Sequence, residues 1–194
     1  MPLTRYSSQS NQSLPMTNSS FEQPTPDHTH DQPQKKPDVN ASDAHSASWP
    51  EIVLHQPEQT TGQEDVPLDV NDIKAVVAAA ERHEDVRFKA VEVVFMSAEE
   101  ITEVNRTYLD HDYVTDIITF RLDDEEDLYA LEGTLCCCDE RIREQSRELG
   151  VGEREEFLRV LIHGILHLCG WDDKTAEQEA SMRKREDEYL ERLG

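Results

Sequence analysis

Two histidines in the last quarter of the chain stand four residues apart in an apolar segment. His163 and His167 belong to the stretch Leu-Ile-His-Gly-Ile-Leu-His-Leu, whose apolar content predicts a buried helix. Residues four apart lie on one face of a helix, so both imidazoles can reach the same metal ion. Gly170 can adopt the left-handed conformation that ends a helix, and the returning chain then offers Asp173 as a third ligand.

The spacing His-x-x-x-His-x-x-Gly-x-x-Asp is that of a metzincin zinc site with aspartate as the third ligand. Zinc proteases of that kind carry their general base, a glutamate, directly after the first histidine, where this chain has Gly164. A metallopeptidase is therefore disfavoured. Three protein ligands leave a position for water, which is typical of a catalytic site for one zinc ion. Two hydrogen-bonded core histidines are the alternative, which the glycine and aspartate at these offsets disfavour.

The first fifty residues differ in composition from the rest. They contain seven of the nine prolines and no glycine, and they are rich in Ser, Gln, Asn and Thr. Such a segment buries too little apolar surface to offset the entropy of ordering, so residues 1–50 are predicted to be a disordered tail. Residues 51–194 are predicted to form one domain. The tail lacks the apolar run of a secretory signal, and no segment predicts a membrane span.

The charge of the chain argues against broad contact with nucleic acid. Residues 1–50 contribute −2 and residues 51–194 contribute −21 to the formal charge of −23. Proteins that bind phosphates usually have a basic surface, so any RNA must bind at a local patch or be delivered by a partner.

Three of the four cysteines are adjacent, at Cys136, Cys137 and Cys138, which suits a disulfide framework poorly and indicates a reducing compartment. Small apolar strand residues are a better interpretation of them than a second metal site.

Periodicity and capping residues predict an α/β (α+β) domain, with a small mixed sheet packed with helices around the histidine helix. Asp69 or Asn71 caps the first helix, and Ser97 with Glu100 forms a capping box for the second. The predicted strands are Glu51–His55, Val86–Met96, Ile117–Arg121 and Gly133–Asp139. The first predicted helix ends near His83, and the second ends near Tyr108. The third spans Arg141–Leu149, the histidine helix begins at Glu153, and the last helix spans Ala176–Leu193. The acidic run Asp123–Asp127 is interpreted as a solvated turn.

Three motifs together resemble the YbeY family of metal-dependent endoribonucleases, over about residues 51–194. The stretch from His163 to Asp173, His-Gly-Ile-Leu-His-Leu-Cys-Gly-Trp-Asp-Asp, is similar to the family's His-Gly-x-Leu-His-Leu-x-Gly-Tyr-Asp-His. The stretch from Asn105 to Phe120 resembles the family's Asn-x-x-Tyr-Arg…Thr-Asp-Val-Leu-Ser-Phe, and Gly-Thr-Leu from Gly133 resembles Gly-Asp-Ile. The third metal ligand, commonly histidine in the family, is aspartate here.

The resemblance implies an endoribonuclease that uses one zinc ion and cuts single-stranded RNA. It implies a role in the cytoplasm with the small ribosomal subunit, in maturation of the 3′ end of the 16S ribosomal RNA and in ribosome quality control. Neither a membrane nor DNA is an expected partner, and the oligomeric state stays open. A ribosome-assembly factor whose metal is mainly structural is the alternative function, and a zinc metallopeptidase is a less favoured one.

The resemblance also implies functional residues. The zinc ligands are His163, His167 and Asp173. The family's arginine after the tyrosine falls at Leu109, so Arg106 is the candidate catalytic arginine, with an ordinary surface arginine as the alternative. The candidate substrate contacts are Thr115, Asp116 and Arg121. Turn chemistry and strand-start capping are the alternative roles for the first two of these.

Overall fold

A computed structural model describes residues 50–56, 65–123 and 129–193 of the chain. Its strands are β1 (Glu51–His55), β2 (Phe88–Met96), β3 (Ile117–Arg121) and β4 (Leu131–Cys138). Its helices are α1 (Val70–His83), α2 (Ala98–Leu109), α3 (Asp139–Leu149), α4 (Glu153–Leu168) and α5 (Ala176–Leu193). The predicted tail lies outside the described residues except for Pro50, so the domain boundary stays a prediction.

The four strands form one mixed sheet in the order β1-β2-β4-β3. β1 pairs with β2, and β2 with β4, in parallel, whereas β3 pairs with β4 in antiparallel. The parallel pair β1 and β2 is joined by α1, as a crossover between parallel strands requires. On β2, Val91, Val93 and Phe95 alternate with less buried residues and face the main core. The predicted α/β fold with a mixed sheet is confirmed.

Helix α4 lies at the centre of the domain. It contacts α1, α3, α5, β3 and β4, which is why apolar residues occur on all of its sides. Gly164 marks a close approach to the sheet, because a Cβ atom there would lie 2.5 Å from Ile117 Cδ1 and 2.9 Å from Leu135 Cδ2. The position after His163 therefore faces the packed sheet.

The helix caps follow the predictions from sequence. Asp69 is the N-cap of α1, and its carboxylate accepts hydrogen bonds from the backbone N–H groups of Asn71 and Asp72. Ser97 and Glu100 form the predicted capping box at the start of α2. These bonds satisfy backbone donors that the first turn of a helix leaves unpaired.

The boundaries of β2, β4 and α3 differ from the predicted ones. β2 begins at Phe88 rather than Val86, and β4 runs from Leu131 to Cys138, so that Asp139 opens α3 instead of ending the strand. Cys138 is the N-cap of α3 and makes no side-chain capping bond. The strand passes directly into the helix without a turn residue, so the sequence gives no local indication of this boundary.

The prediction of a solvated acidic turn is wrong for Asp123. Its side chain is 6% exposed and accepts hydrogen bonds from Arg121 Nε at 3.0 Å and Arg121 Nη2 at 2.8 Å. The same carboxylate accepts the backbone N–H of Glu132 at 2.8 Å. A buried guanidinium needs a counterion, and Asp123 provides it. Residues 124–127 of the acidic run lie outside the described residues.

The cysteines of β4 agree with the prediction from sequence. Cys136, Cys137 and Cys138 are buried in β4 as small apolar residues. Burial raises the pKa of the Cys136 and Cys138 thiols to about 11, so both stay protonated at neutral pH. Among the described residues, no helix combines the length and the apolarity that crossing a membrane requires.

Candidate metal centre

Helix α4 ends just after its second histidine, and this ending brings a third donor back to the histidine face. Gly170 has a φ of +93°, in the left-handed region that glycine adopts without strain. Its N–H donates to the carbonyl of His167 at 3.0 Å, which closes the last turn. The chain then reverses and places Asp173 beside His163 and His167, as the spacing predicted.

Three donor atoms converge at this end of α4. His163 Nε2 lies 2.9 Å from His167 Nε2 and 3.7 Å from Asp173 Oδ2, and His167 Nε2 lies 3.9 Å from the same oxygen. A point equidistant from the three atoms lies about 2.1 Å from each, the usual length of a zinc–nitrogen or zinc–oxygen bond. Within the described residues, this is the one cluster of three His, Cys, Asp or Glu donors that could hold a metal ion.

Hydrogen bonds on the far sides of both rings fix the positions of the ring protons. His163 Nδ1 lies 2.8 Å from Glu186 Oε1, and His167 Nδ1 lies 2.9 Å from the carbonyl oxygen of Trp171. An ionised carboxylate and a carbonyl only accept, so Nδ1 of each neutral ring carries the proton and donates. Both Nε2 atoms then present lone pairs toward Asp173. Three acceptors this close together are stabilised by a cation between them.

The two imidazoles have opposite acid–base behaviour. Burial lowers the pKa of His163, but the hydrogen bond to Glu186 and the charges of Glu186, Asp116 and Asp173 outweigh it, and the pKa is raised above 6.5. Burial, and then the positive charge of His163, lower the pKa of His167 to about 4. Without a metal ion, a proton therefore enters the site on His163.

The three candidate ligands differ in their exposure to solvent. The side chains of His167 and Asp173 are 4% and 3% exposed, whereas the side chain of His163 is 16% exposed. Three ligands leave at least one coordination position for a water molecule or a substrate oxygen, and His163 is the ligand most exposed to solvent.

Asp116 lies directly before β3, and its charge acts on the metal centre through His163. One carboxylate oxygen accepts the N–H of Ile117 at 2.9 Å and the hydroxyl of Thr115 at 3.2 Å. The other accepts Gln145 Nε2 at 3.0 Å. Gln145 is buried, and its carbonyl oxygen has no hydrogen-bond partner in the described part of the chain. Strand-start capping thus accounts for one oxygen of Asp116, and α3 holds the other.

The two candidate arginines differ in environment. Arg106 lies in the last turn of α2 with its side chain 53% exposed, and it pairs with Glu103 and Asp112 at 2.5 and 2.7 Å. Arg121 is buried in β3 and pairs with Asp123. The structure does not connect either guanidinium to the metal ligands by a described hydrogen bond. The roles of Arg106 in catalysis, and of Thr115, Asp116 and Arg121 in substrate binding, stay predictions.

Glu186 is a functional residue that the sequence did not predict. This residue lies on α5 with Met182 four residues before it and Tyr189 three after it, and all three are buried on one helix face. Glutamate is rarely buried unless it is paired. A glutamate within an apolar helical stripe is the pattern that could have identified it.

A second missed residue, Glu84, holds the loop that carries Asp173. Its carboxylate accepts Trp171 Nε1 at 3.0 Å, Arg185 Nε at 2.9 Å and the hydroxyl of Tyr189 at 2.7 Å. These partners lie 87 to 105 residues away in the sequence, so no local pattern indicates them. The result is a loop fixed to the end of α1 and to α5.

Comparison with known proteins gives consistent matches. Residues 56–194 match the family described as Endoribonuclease YbeY. The Endoribonuclease YbeY of Chlorobaculum tepidum is 40% identical over 104 residues, which cover 54% of this chain and 74% of that protein. The Bacteroides fragilis protein of the same name is 42% identical over 118 residues, which cover 61% of this chain and 80% of that protein. A Thermotoga maritima protein solved in solution is 26% identical, with a TM-score of 0.48 over 73% of this chain and 88% of that chain.

Proposed function

The chain belongs to the Endoribonuclease YbeY family, and from this premise we propose that it is an endoribonuclease with one zinc ion held by His163, His167 and Asp173. The observation that carries the metal assignment is the position of their three donor atoms around one point at zinc bond length. Two imidazole nitrogens and one carboxylate oxygen are a donor set that suits zinc.

The partial exposure of His163 supports a catalytic rather than a structural metal. When bound, zinc would polarise a phosphoryl oxygen or lower the pKa of a bound water. The chain itself orients the ligands: Glu186 and the Trp171 carbonyl hold the two Nδ1 atoms, and the glycine turn at Gly170 holds Asp173 in place. We assign Asp116, held by Gln145 beside the histidines, to contact with the hydroxyl or water that attacks the phosphate.

The packing around Gly164 disfavours a peptidase. In zinc peptidases the residue at this position is the glutamate that activates water. Here a single added Cβ already meets Ile117 Cδ1 and Leu135 Cδ2 at less than 3 Å, so a longer side chain requires at least these two side chains to move. The metallopeptidase alternative is thus disfavoured by packing as well as by sequence.

The acidic charge shapes the proposed substrate. With −21 on residues 51–194, the domain repels free RNA at long range. We propose that it acts in the cytoplasm on single-stranded ribosomal RNA presented by the small ribosomal subunit, in maturation of the 16S 3′ end and in ribosome quality control. A single strand can bring one phosphate to the accessible side of His163, and Arg106 is assigned to stabilise charge on that phosphate.

The central test pairs zinc content with RNA cleavage in His167→Ala. Loss of one buried ligand is expected to remove both zinc and cleavage, while circular dichroism shows a folded domain. His55→Ala is the matched control, because His55 is exposed on β1 and contacts Glu92. Wild-type cleavage by His167→Ala without bound metal would refute the proposed function. A wild-type protein that binds zinc but leaves both naked and ribosomal RNA intact would favour the assembly-factor alternative.

A second test addresses Asp116. Asp116→Asn keeps the size of the side chain but removes its charge, so cleavage is expected to fall by about 10- to 100-fold with zinc content unchanged. Asp110→Asn is the control, because Asp110 is exposed and has a φ of +58°, which asparagine tolerates. Equal cleavage rates in the two variants would exclude Asp116 from the reaction.

A further inference from the structure

Glu186 is a buried acidic residue on the face that α5 turns toward α4. Its side chain is 7% exposed and lies between Met182 and Tyr189 on the apolar stripe of α5. A carboxylate in such a place is unfavourable unless it is paired and hydrogen-bonded. One oxygen lies 2.8 Å from His163 Nδ1, and the other lies 3.4 Å from Arg159 Nη1.

This placement has a direct consequence for the metal-facing atom of His163. We propose that Glu186 is a positioning residue for metal binding, which keeps the His163 proton on Nδ1 and so leaves the Nε2 lone pair for the ion. The inference rests on the proposed metal site. Nε2 is the ring atom that lies 2.9 Å from His167 Nε2 and 3.7 Å from Asp173 Oδ2, so a proton on it would occupy the point where the donors converge.

The two histidines are held by groups of different kinds. The Nδ1 of His167 donates to a backbone carbonyl, that of Trp171, which is neutral and is set by the course of the chain. The Nδ1 of His163 donates to a full negative charge supplied by a side chain. A carboxylate partner fixes the ring orientation and makes the imidazole a stronger electron donor to a metal. His163 is also the more exposed ring, so it has less surrounding packing to orient it.

Arg159 completes the arrangement. It extends from α4 one turn before His163, with its side chain 13% exposed, and it contacts both Glu186 and Asp187 of α5. Its positive charge stabilises the ionised form of Glu186, which is the form that can only accept from Nδ1. The order Arg159, Glu186, His163 thus links two helices through charged side chains.

The test uses the full chain with Glu186→Gln, which keeps the shape but replaces the carboxylate with an amide that can also donate to Nδ1. The ring nitrogens are observed by ¹⁵N NMR in metal-free protein at alkaline pH, where both imidazoles are neutral. Wild type is expected to show the Nδ1–H form for His163, and the variant an increase in the Nε2–H form. His167 serves as a reference in the same spectra, because its partner is the unchanged backbone carbonyl.

The second measurement is zinc affinity by competition with a chelator. Glu186→Gln is expected to weaken zinc binding by about 10- to 100-fold, and Glu188→Gln, the control on the same helix, to leave it unchanged. Glu188 pairs with Arg185 and has no described contact with the histidines. If Glu186 only fills space, Glu186→Gln should change neither the tautomer of His163 nor the reference signal of His167.

The outcomes separate this inference from the proposed function. An Nε2–H form of His163 in wild type overturns the inference even if the variant fails to fold. An unchanged tautomer or an unchanged zinc affinity in Glu186→Gln also overturns it, and the proposed function then stands if wild type binds zinc and cleaves RNA. A wild type that binds no zinc overturns the proposed function, and the inference with it.

Discussion

The end of α4 and the surface between α2 and β3 contain the two sets of residues that the resemblance marks as functional, and they are built differently. At the end of α4, His167 and Asp173 are almost fully buried, and both imidazoles have a hydrogen-bonded partner behind them. On the α2–β3 surface, Tyr108 is 54% exposed, Val114 is 41% exposed, and Arg106 is paired with exposed acids. The first region is preorganised for a ligand, whereas the second is open to solvent.

The difference in burial suits the two regions to different tasks: the end of α4 to fixed metal geometry, and the α2–β3 surface to adaptable contact with a substrate. A metal ion needs three donors placed within a few tenths of an ångström, and burial with supporting hydrogen bonds provides this. An exposed arginine is held only weakly by its ion pairs, because water screens them, so it can exchange its acidic partners for a phosphate. Substitutions in the two regions should therefore differ in size and in kind.

The largest effect is expected for His163→Ala. Loss of one of three ligands should weaken zinc binding by more than about 100-fold, so that purified protein contains little metal. Elemental analysis by mass spectrometry gives the stoichiometry. His111→Ala, on the α2–β3 surface, is the comparison and should retain wild-type metal. Full zinc occupancy in His163→Ala would remove the distinction between the two regions.

Gly164→Ala tests how tightly α4 packs against the sheet beside the metal ligands. The added methyl group would lie 2.5 Å from Ile117 Cδ1, and overpacking of this kind costs about 1–3 kcal/mol. Urea denaturation of metal-free protein measures the free energy of unfolding. Gly152→Ala tests the loss of a glycine without overpacking, because within the described residues a Cβ atom there meets only Glu155 Cβ at 3.8 Å. Gly152 is the N-cap of α4, so about 1 kcal/mol of any cost in this variant belongs to the cap. A Gly164→Ala variant as stable as wild type would show that the side chains of Ile117 and Leu135 can move aside, and that the packing at Gly164 is not tight.

The pH dependence of metal-free protein gives a smaller effect. Folding lowers the pKa of His167 from 6.5 to about 4, so between these values the unfolded chain binds more protons and stability falls as the pH falls. Folding raises the pKa of His163, so its contribution has the opposite sign and is lost as the pH rises above 6.5. Unfolding free energies from pH 4 to 8 should show a shallower acid slope in His167→Asn than in wild type. An unchanged slope would contradict the lowered pKa of His167 in the folded protein.

The smallest effect on stability is expected for Arg106→Ala. Its ion pairs are exposed, so the free energy of unfolding should not change measurably, and zinc content should stay constant. Cleavage of ribosomal RNA should nevertheless fall, by about tenfold, because a flexible charge contributes less than a fixed donor. Arg183→Ala on α5, which removes an equally simple surface pair with Glu179, should cleave normally. Equal rates in these two variants would leave Arg106 as a surface residue.

The parts of the site that sequence could predict are those encoded locally. His163, His167, Gly170 and Asp173 fall within eleven residues, so helix period and one turn fix their relation. The structure brings His163, His167 and Asp173 together, and their role as metal ligands stays a proposal. Family membership, expected from the order of three motifs, is confirmed by the match over residues 56–194.

The parts that sequence missed depend on long-range packing. Glu186 approaches His163 only because α5 packs along α4, and Glu84 reaches Trp171 across 87 residues. Asp123 looked solvated because its neighbours in sequence are acidic, whereas its environment is set by the buried Arg121 beside it. Single-sequence patterns carry periodicity and turn chemistry, but not the choice of partner between distant elements.

Trp171 sits where the loop of Asp173 meets both α4 and the end of α1. Its carbonyl accepts from His167, and its indole donates to Glu84 while Arg185 lies over the ring. An indole with a charged hydrogen-bond partner and a cation over its face has an emission spectrum that responds to small displacements. The chain has one other tryptophan, Trp49, so Trp49→Phe would give a protein whose tryptophan fluorescence comes from this loop alone. Metal uptake could then be followed optically, in real time and without a label.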